Sequence, residues 1–371
     1  MHRIDGLQIC RAIAVLLVGW LHIDQVSRPL QAVTSNVMRA GNVGMFGVDI
    51  FFVISGFILG STALRAASGE PRVEASDFIA RRILRIFPIY WIVILFPLFR
   101  ELRQHRLTGL KFLDYWFLLP GFSYPKTHLI IGLAWTLIFE MAFYYVMAIF
   151  MRFTLRHAVR NTIASLIVLV TVGMILDIRR PLLNILMNPI LLEFVLGGLS
   201  ALAFQRFGRR RIVGIVTLIA GLIVIGTVTI YTTYNVALEQ NVLAGIGILP
   251  RVGTWGIGAW LLVSGVVFWG PEVRSRPGKI LVAVGNGSYS IYLTSVISIE
   301  LISRIILKAS AKSVTGGAIA VREVIAIVCL VTVGMLFYWV VERPLGKRLN
   351  AAYRLIFKQR GSHPLRQTVE A

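Results

Sequence analysis

Cysteine is nearly absent: Cys10 and Cys329 are the two in 371 residues. Both sit in apolar runs, fit neither a disulfide framework nor a metal site, and are expected to serve packing. Charge is scarce as well. Charged residues make up 15% of the chain, against about 25% in an ordinary soluble protein. Acids are scarcest, 17 against 38 Lys and Arg. There is no Walker loop, no Gly-x-Ser-x-Gly elbow, no His-Glu-x-x-His and no ferredoxin-type cysteine run, so the templates of soluble enzymes do not apply. Internal repeats, low-complexity tracts and a soluble domain are also missing.

What the chain has is apolar length. Hydrophobic residues reach 57% and the mean hydropathy is +0.77. Stretches long enough to cross a hydrocarbon core of about 30 Å recur ten times. They fall at 7–26, 43–64, 80–99, 129–151, 162–178, 183–204, 212–232, 251–270, 280–304 and 320–341. The expected fold class is an all-α polytopic integral membrane protein with about ten transmembrane helices. The segment 112–122 is apolar but only half a span long, so it is expected to be interfacial or re-entrant. The first span begins like a signal peptide, but Arg11 interrupts it and no small-x-small site follows, so an uncleaved span is expected.

The net charge of +21 would suggest nucleic acid in a soluble protein. Here the basic residues cluster in short gaps between apolar runs, which sets membrane orientation instead; no nucleic-acid partner is expected. With the N-terminus in the cytoplasm, the inner segments hold 23 Lys and Arg and the outer segments 11. Both termini are therefore expected inside. Loop 100–126 is long enough to be an outer lid or binding loop, and its basic charge suits an acidic acceptor. One membrane domain is expected over 1–343. The basic, amphipathic tail, 344–371, is expected to lie on the anionic inner leaflet.

The chemistry-bearing residues are the polar ones inside apolar runs. Arg11 and His22 are eleven positions apart, which on a helix is about 20° past three turns and roughly 16 Å along the axis. They share a face without touching, and an intramembrane Arg with a titratable His marks a functional site. Asp24 points elsewhere. The second span carries Asp49 among Gly44, Gly47, Ser55 and Gly56. The small residues suit close helix packing, but a buried carboxylate needs a partner. Arg82 and Arg85 share a face at i, i+3; they are either a positive-inside flank or a phosphate clamp. Glu140, five residues after Trp135, and Glu193 lie deep in apolar runs and are costly unless paired or facing a wet cavity. The ninth span opens with Ser288-Tyr289-Ser290-Ile291-Tyr292, polar over much of its first half.

Taken in order, these stretches resemble the acyltransferase-3 family of bacterial membrane-bound O-acyltransferases. Arg11 and His22 match its R-x10-H pair. Gly47-Val48-Asp49-Ile50-Phe51-Phe52-Val53-Ile54-Ser55-Gly56-Phe57 matches its second-helix signature. Arg82 and Arg85 match R-x-x-R, leading into Pro88 and Tyr90-Trp91. Trp135 and Glu140 match W-x-x-x-x-E, and Ser288 to Leu293 matches S-Y-S-x-Y-L. One departure is that Thr294-Ser295-Val296 follows, where members often have a further His.

The resemblance implies transfer of an acyl group, acetyl or succinyl, from cytoplasmic acyl-CoA to a hydroxyl of a polysaccharide or lipid-linked sugar. The location would be the bacterial cytoplasmic membrane, with no metal. Length and layout are similar to exopolysaccharide-modifying members, including those that decorate succinoglycan. No fused outer domain is expected, so the chain either completes transfer alone or hands the acyl group to a separate protein. Polysaccharide biosynthesis or export proteins are further candidate partners.

Under this reading Arg82 and Arg85 hold CoA phosphates. Arg11 steadies negative charge. His22 is the general base or a covalent acyl carrier, and Asp49 or Glu140 orients it. Trp135, Tyr289, Ser290 and Tyr292 belong to the pocket. The alternative is a transporter or flippase of a lipid-linked sugar or organic anion, which would also carry intramembrane Arg and Glu.

Overall fold

The computed structural model describes residues 4–27, 43–67, 74–119, 131–153, 157–176, 181–231, 239–309 and 316–358. Helices account for nearly all of it, because a chain in lipid must satisfy its backbone polar groups internally. In chain order they are α1 (Asp5–Ser27), α2 (Phe46–Ala67), α3 (Ala75–Arg103), α4 (Gly109–Phe117), α5 (Trp135–Phe153) and α6 (Ala158–Leu176). Then follow α7 (Pro181–Leu186), α8 (Leu191–Phe207), α9 (Arg211–Tyr231), α10 (Glu239–Leu243) and α11 (Ile248–Arg251). The last five are α12 (Ile257–Trp269), α13 (Arg276–Asn286), α14 (Ser288–Ala309), α15 (Gly316–Phe337) and α16 (Arg343–Lys358).

Among the described residues, nine helical segments are long and apolar enough to span a bilayer, so the chain is an all-α, multi-pass membrane protein. Nine of the ten expected spans correspond to them. The expected span at 280–304 is instead divided between α13 and α14 at Gly287.

The order of packing is set by glycine. Lipid offers no hydrophobic drive between helices, so close backbone contact has to supply the attraction. α2 and α8 meet at Gly56 and Gly197. A Cβ at Gly56 would lie 2.2 Å from the Phe194 carbonyl oxygen, and one at Gly197 would lie 2.1 Å from that of Val53. α1 meets α2 in the same way at Gly47, against Ala14, and meets α13 at Gly285, against Gln8. α1 thus becomes the hub, touching α2, α12, α13, α14 and α15. α6 and α9 sit at the periphery and expose Ile167, Val168, Ile219 and Ile223, the surface expected to face acyl chains.

The described part of segment 112–122 packs against its neighbour in sequence. α4 folds back along α3. The Tyr90 hydroxyl donates to the Tyr115 carbonyl at 2.6 Å, and Trp91 Nε1 donates to that of Trp116 at 2.8 Å. Tyr90 lies thirteen residues before Arg103, about 20 Å down α3 by helical rise. Trp91, Trp116 and Phe112 stack in series. Residues 120–126 of the long loop and 359–371 of the tail lie outside the described residues. The described part of the tail, α16, packs on the start of α3, where the Tyr353 hydroxyl donates to Asp77.

Asp49 and Arg251 form a fully buried ion pair between α2 and α11. Arg251 Nε and Nη2 donate to the two carboxylate oxygens at 2.9 and 2.8 Å, and Nη2 also reaches the Met45 carbonyl at 3.4 Å. Arg251 packs over the Trp255 ring at 5.9 Å. Glu193 is buried in the same region and interacts electrostatically with both.

Breaking one half of such a pair leaves a buried charge and costs about 3–5 kcal/mol. Arg251→Met and Asp49→Leu should each lower the melting temperature of the detergent-solubilised protein, and the double variant should recover most of the loss. A double variant as unstable as either single one would contradict this. Gly56→Leu should abolish the α2–α8 contact and with it monodisperse protein on gel filtration. A well-folded Gly56→Leu would refute the close-packing account.

Candidate functional site

Five helices leave a polar cavity of about 100 Å³ inside the bundle. α1 contributes Arg11, α2 Ser55, α3 Arg82 and Arg85, α5 Glu140 and Tyr144, and α14 Ser288, Tyr289 and Tyr292. Its remaining wall is apolar, with Phe51, Phe52, Ile54 and Ile58 among the α2 residues. Three guanidiniums thus face one carboxylate in a mostly apolar shell.

Each polar group is held in place. Arg11 Nε donates to the Ser288 hydroxyl at 3.1 Å, so the first turn of α14 fixes the α1 arginine. Ser55 donates to Glu140 Oε1 at 3.2 Å, and the Tyr144 hydroxyl donates to the same oxygen. Arg82 lies against the faces of Phe78 and Tyr144, 5.6 and 5.8 Å from their centroids. Its Nε is buried and has no hydrogen-bond partner among the described residues. The Tyr289 hydroxyl donates to the Ile86 carbonyl at 2.8 Å, and that of Tyr292 to the Leu133 carbonyl at 3.0 Å. The tyrosines therefore tie α14 to α3 and to the turn before α5.

The structure brings together Arg11, Arg82, Arg85, Glu140, Tyr289 and Tyr292 out of motifs spread over more than 280 positions. It leaves four expected residues off the cavity wall. Trp135 packs edge-on against Phe52 and Phe139. Ser290 donates to Glu342. His22 is half-buried three turns along α1, its Nδ1 3.1 Å from Gln25 Oε1. Asp49 is engaged by Arg251 and makes no hydrogen bond to His22, so the expected orienting role of Asp49 on His22 finds no contact. The reason is local: Arg251 supplies a two-pronged match to the carboxylate in a dry place, where an ion pair must be complete.

Sequence reasoning missed Tyr144, Arg251 and Glu342 as functional or partner residues, and named Ser288 only as part of a motif. Tyr144 follows Glu140 by four positions, so a one-turn hydrogen bond was available as a signal. Arg251 and Glu342 lie at span ends, where a charge ordinarily faces the interface and carries no signal of its own.

Residues 4–343 match the profile of the family described as an acyltransferase domain, acyltransferase 3. The "Exopolysaccharide production protein ExoZ" of Rhizobium meliloti (strain 1021) is 29% identical over 327 residues, covering 83% of this chain and 92% of that protein. The "Putative peptidoglycan O-acetyltransferase YrhL" of Bacillus subtilis (strain 168) is 29% identical over 170 residues, covering 40% of this chain and 24% of that protein. No solved structure matches. With the profile spanning nearly the whole chain, and with its polar motifs converging on one cavity inside a multi-pass bundle, this chain belongs to the acyltransferase-3 family of membrane acyltransferases.

Proposed function

We propose that this protein transfers an acyl group, acetyl or succinyl, from cytoplasmic acyl-CoA to a hydroxyl of an exported polysaccharide or its lipid-linked precursor. It would act in the bacterial cytoplasmic membrane with both termini inside. The observation that carries the reading is the buried cavity in which Arg11, Arg82 and Arg85 outnumber Glu140, with Arg82 Nε unpartnered. A guanidinium excess in a mostly apolar site is suited to an anionic donor, because charge-assisted hydrogen bonds are the strong ones and gain strength at low local dielectric. The relatives named for exopolysaccharide production and peptidoglycan O-acetylation support a glycan acceptor. Family membership favours transfer over the carrier alternative.

The chemistry divides along α1. Arg82 and Arg85 hold the donor's phosphates at the inner end. Arg11, fixed by Ser288, neutralises charge developing on the thioester oxygen. His22, about 16 Å further along, takes the hydroxyl proton of the acceptor. The ester forms as the C–S bond breaks, and the departing thiolate takes up a proton. Transfer by this route requires the thioester carbonyl and the acceptor hydroxyl to meet between the two side chains, with Arg11 reaching the carbonyl oxygen and His22 the hydroxyl. A second reading follows from Glu140, which lines the cavity whereas His22 does not. Held by Ser55 and Tyr144, Glu140 is the base in that case, and His22 serves the acceptor's approach.

Acyl analysis of surface polysaccharide, at matched expression, tests the function. Loss of one ester with the gene, while export persists, is the expected result and names the acyl group; failed export would favour the carrier. In purified protein, His22→Ala should lower turnover by about 10²–10⁴, the usual worth of a general base. If Glu140→Gln does so and His22→Ala does not, the base is Glu140. Arg82→Gln should raise the donor KM about 10- to 100-fold, the loss of one charged hydrogen bond, with kcat less affected. An unchanged KM would remove Arg82 from the donor site.

A further inference from the structure

Behind the cavity wall lies a carboxylate that the proposed mechanism does not use. Glu342 is the last residue of a π-helical turn, Tyr338–Glu342, joining α15 to α16. Such turns are rare and carry one residue more than an α-helical turn, so Glu342 faces where a straight α-helix would not send it. Arg343, the next residue, is exposed and stacks on the exposed Trp339 at 4.5 Å. Glu342 instead accepts a hydrogen bond from Ser290, itself fully buried. Ser288 and Ser290 are two residues apart at the start of α14; the first holds Arg11 and the second holds Glu342. Arg11 and Arg85, of like charge, both line the cavity in front of this serine pair, within electrostatic reach of Glu342. Gly287 lets the segments meet this closely: a Cβ there would lie 2.7 Å from Met335 Sδ.

We infer that Glu342 is a positioning residue for acyl transfer, holding Arg11 and Arg85 at their stations as a shared counter-charge from behind the cavity. It touches neither donor nor acceptor. Its charge offsets the repulsion between the two guanidiniums and limits how tightly the site grips an anion that must leave after transfer. Binding ground state and product too well gains nothing in turnover. Without that charge, the arginines hold the anion more tightly and aim less well at the developing oxyanion.

The inference rests on the acyl-CoA reading above, and the test separates the two. Purified full-length protein in lipid nanodiscs is assayed with acetyl-CoA or succinyl-CoA and the acceptor polysaccharide. Glu342→Gln should lower kcat at least tenfold with the donor KM unchanged or lower, the pattern of an interaction absent from ground-state binding. Glu342→Asp, which keeps the charge, should recover part of the loss. Loss of a buried counter-charge should lower the melting temperature as well, so kcat is read per folded molecule. A tie between helices alone would leave that kcat unchanged. Wild-type kcat in Glu342→Gln, or a fall in kcat matched by a rise in KM, overturns the inference. If Glu342→Gln does not fold, Ser290→Ala decides: a several-fold fall in kcat supports the role and wild-type kcat overturns it. Wild-type protein that consumes neither acetyl-CoA nor succinyl-CoA defeats the donor assignment only. The polysaccharide ester in cells carrying Glu342→Gln then tests Glu342, and a normal ester level overturns its role.

Discussion

A charged side chain inside a bilayer has to be answered by another group, and that requirement organises this protein. An ion or polar group taken out of water costs several kcal/mol unless its partners are already in place. Asp49 and Arg251 answer one another through two hydrogen bonds and close a contact between helices 202 residues apart in sequence. Glu140 is answered by Ser55 and Tyr144, and Arg11 by Ser288. At the cavity the charges are unequal in number, with three arginines to one lining carboxylate and Arg82 Nε without a hydrogen-bond partner among the described residues. That local surplus separates a site from a structural tie. Arg251, equally buried, has its charge matched on the spot and serves to hold helices together.

The surplus can exist only because the helices bearing it are held rigidly. Backbone contacts at Gly47, Gly56, Gly197 and Gly285 lock α1, α2, α8 and α13 without relying on a hydrophobic drive that lipid does not provide. α1 then sits at the centre and presents Arg11 to the cavity from its second turn. α4 is folded back along α3 and anchored by Tyr90 and Trp91. The tyrosines of α14 complete the frame by gripping carbonyls of α3 and of the turn before α5. Packing and chemistry therefore share residues: Ser288, Tyr289 and Tyr292 hold helices together and line the cavity.

Much of this could be read from sequence. Runs of about twenty apolar residues admit one solution in lipid, the helix, so nine spans were legible from hydropathy. The polar residues within them were legible as functional candidates because each is costly where it stands. Arg11, Arg82, Arg85, Glu140, Tyr289 and Tyr292 were found in this way, and the cavity gathers them. The division of the 280–304 region at Gly287 was harder to see, because a glycine beside serines is as compatible with a packed helix as with a broken one.

Cost alone does not say who answers whom, and there the sequence stops. Asp49 and Glu140 look alike as lone carboxylates in apolar helices, yet one is matched by a distant arginine and the other lines a cavity. Helical periodicity put Arg11 and His22 on one face correctly, but only the neighbouring helices decide which part of that face is walled off and which is hollow. Glu342 gave no signal at a span end, and a single π-helical turn directs it towards Ser290 and the arginines. The sequence by itself determined the membrane-spanning class, the helices and the inventory of costly residues, since these follow from local composition against a bilayer's thickness and polarity. Tertiary structure alone decided the pairings, because the energy of an ion pair depends on a distance between residues that the chain separates by hundreds of positions.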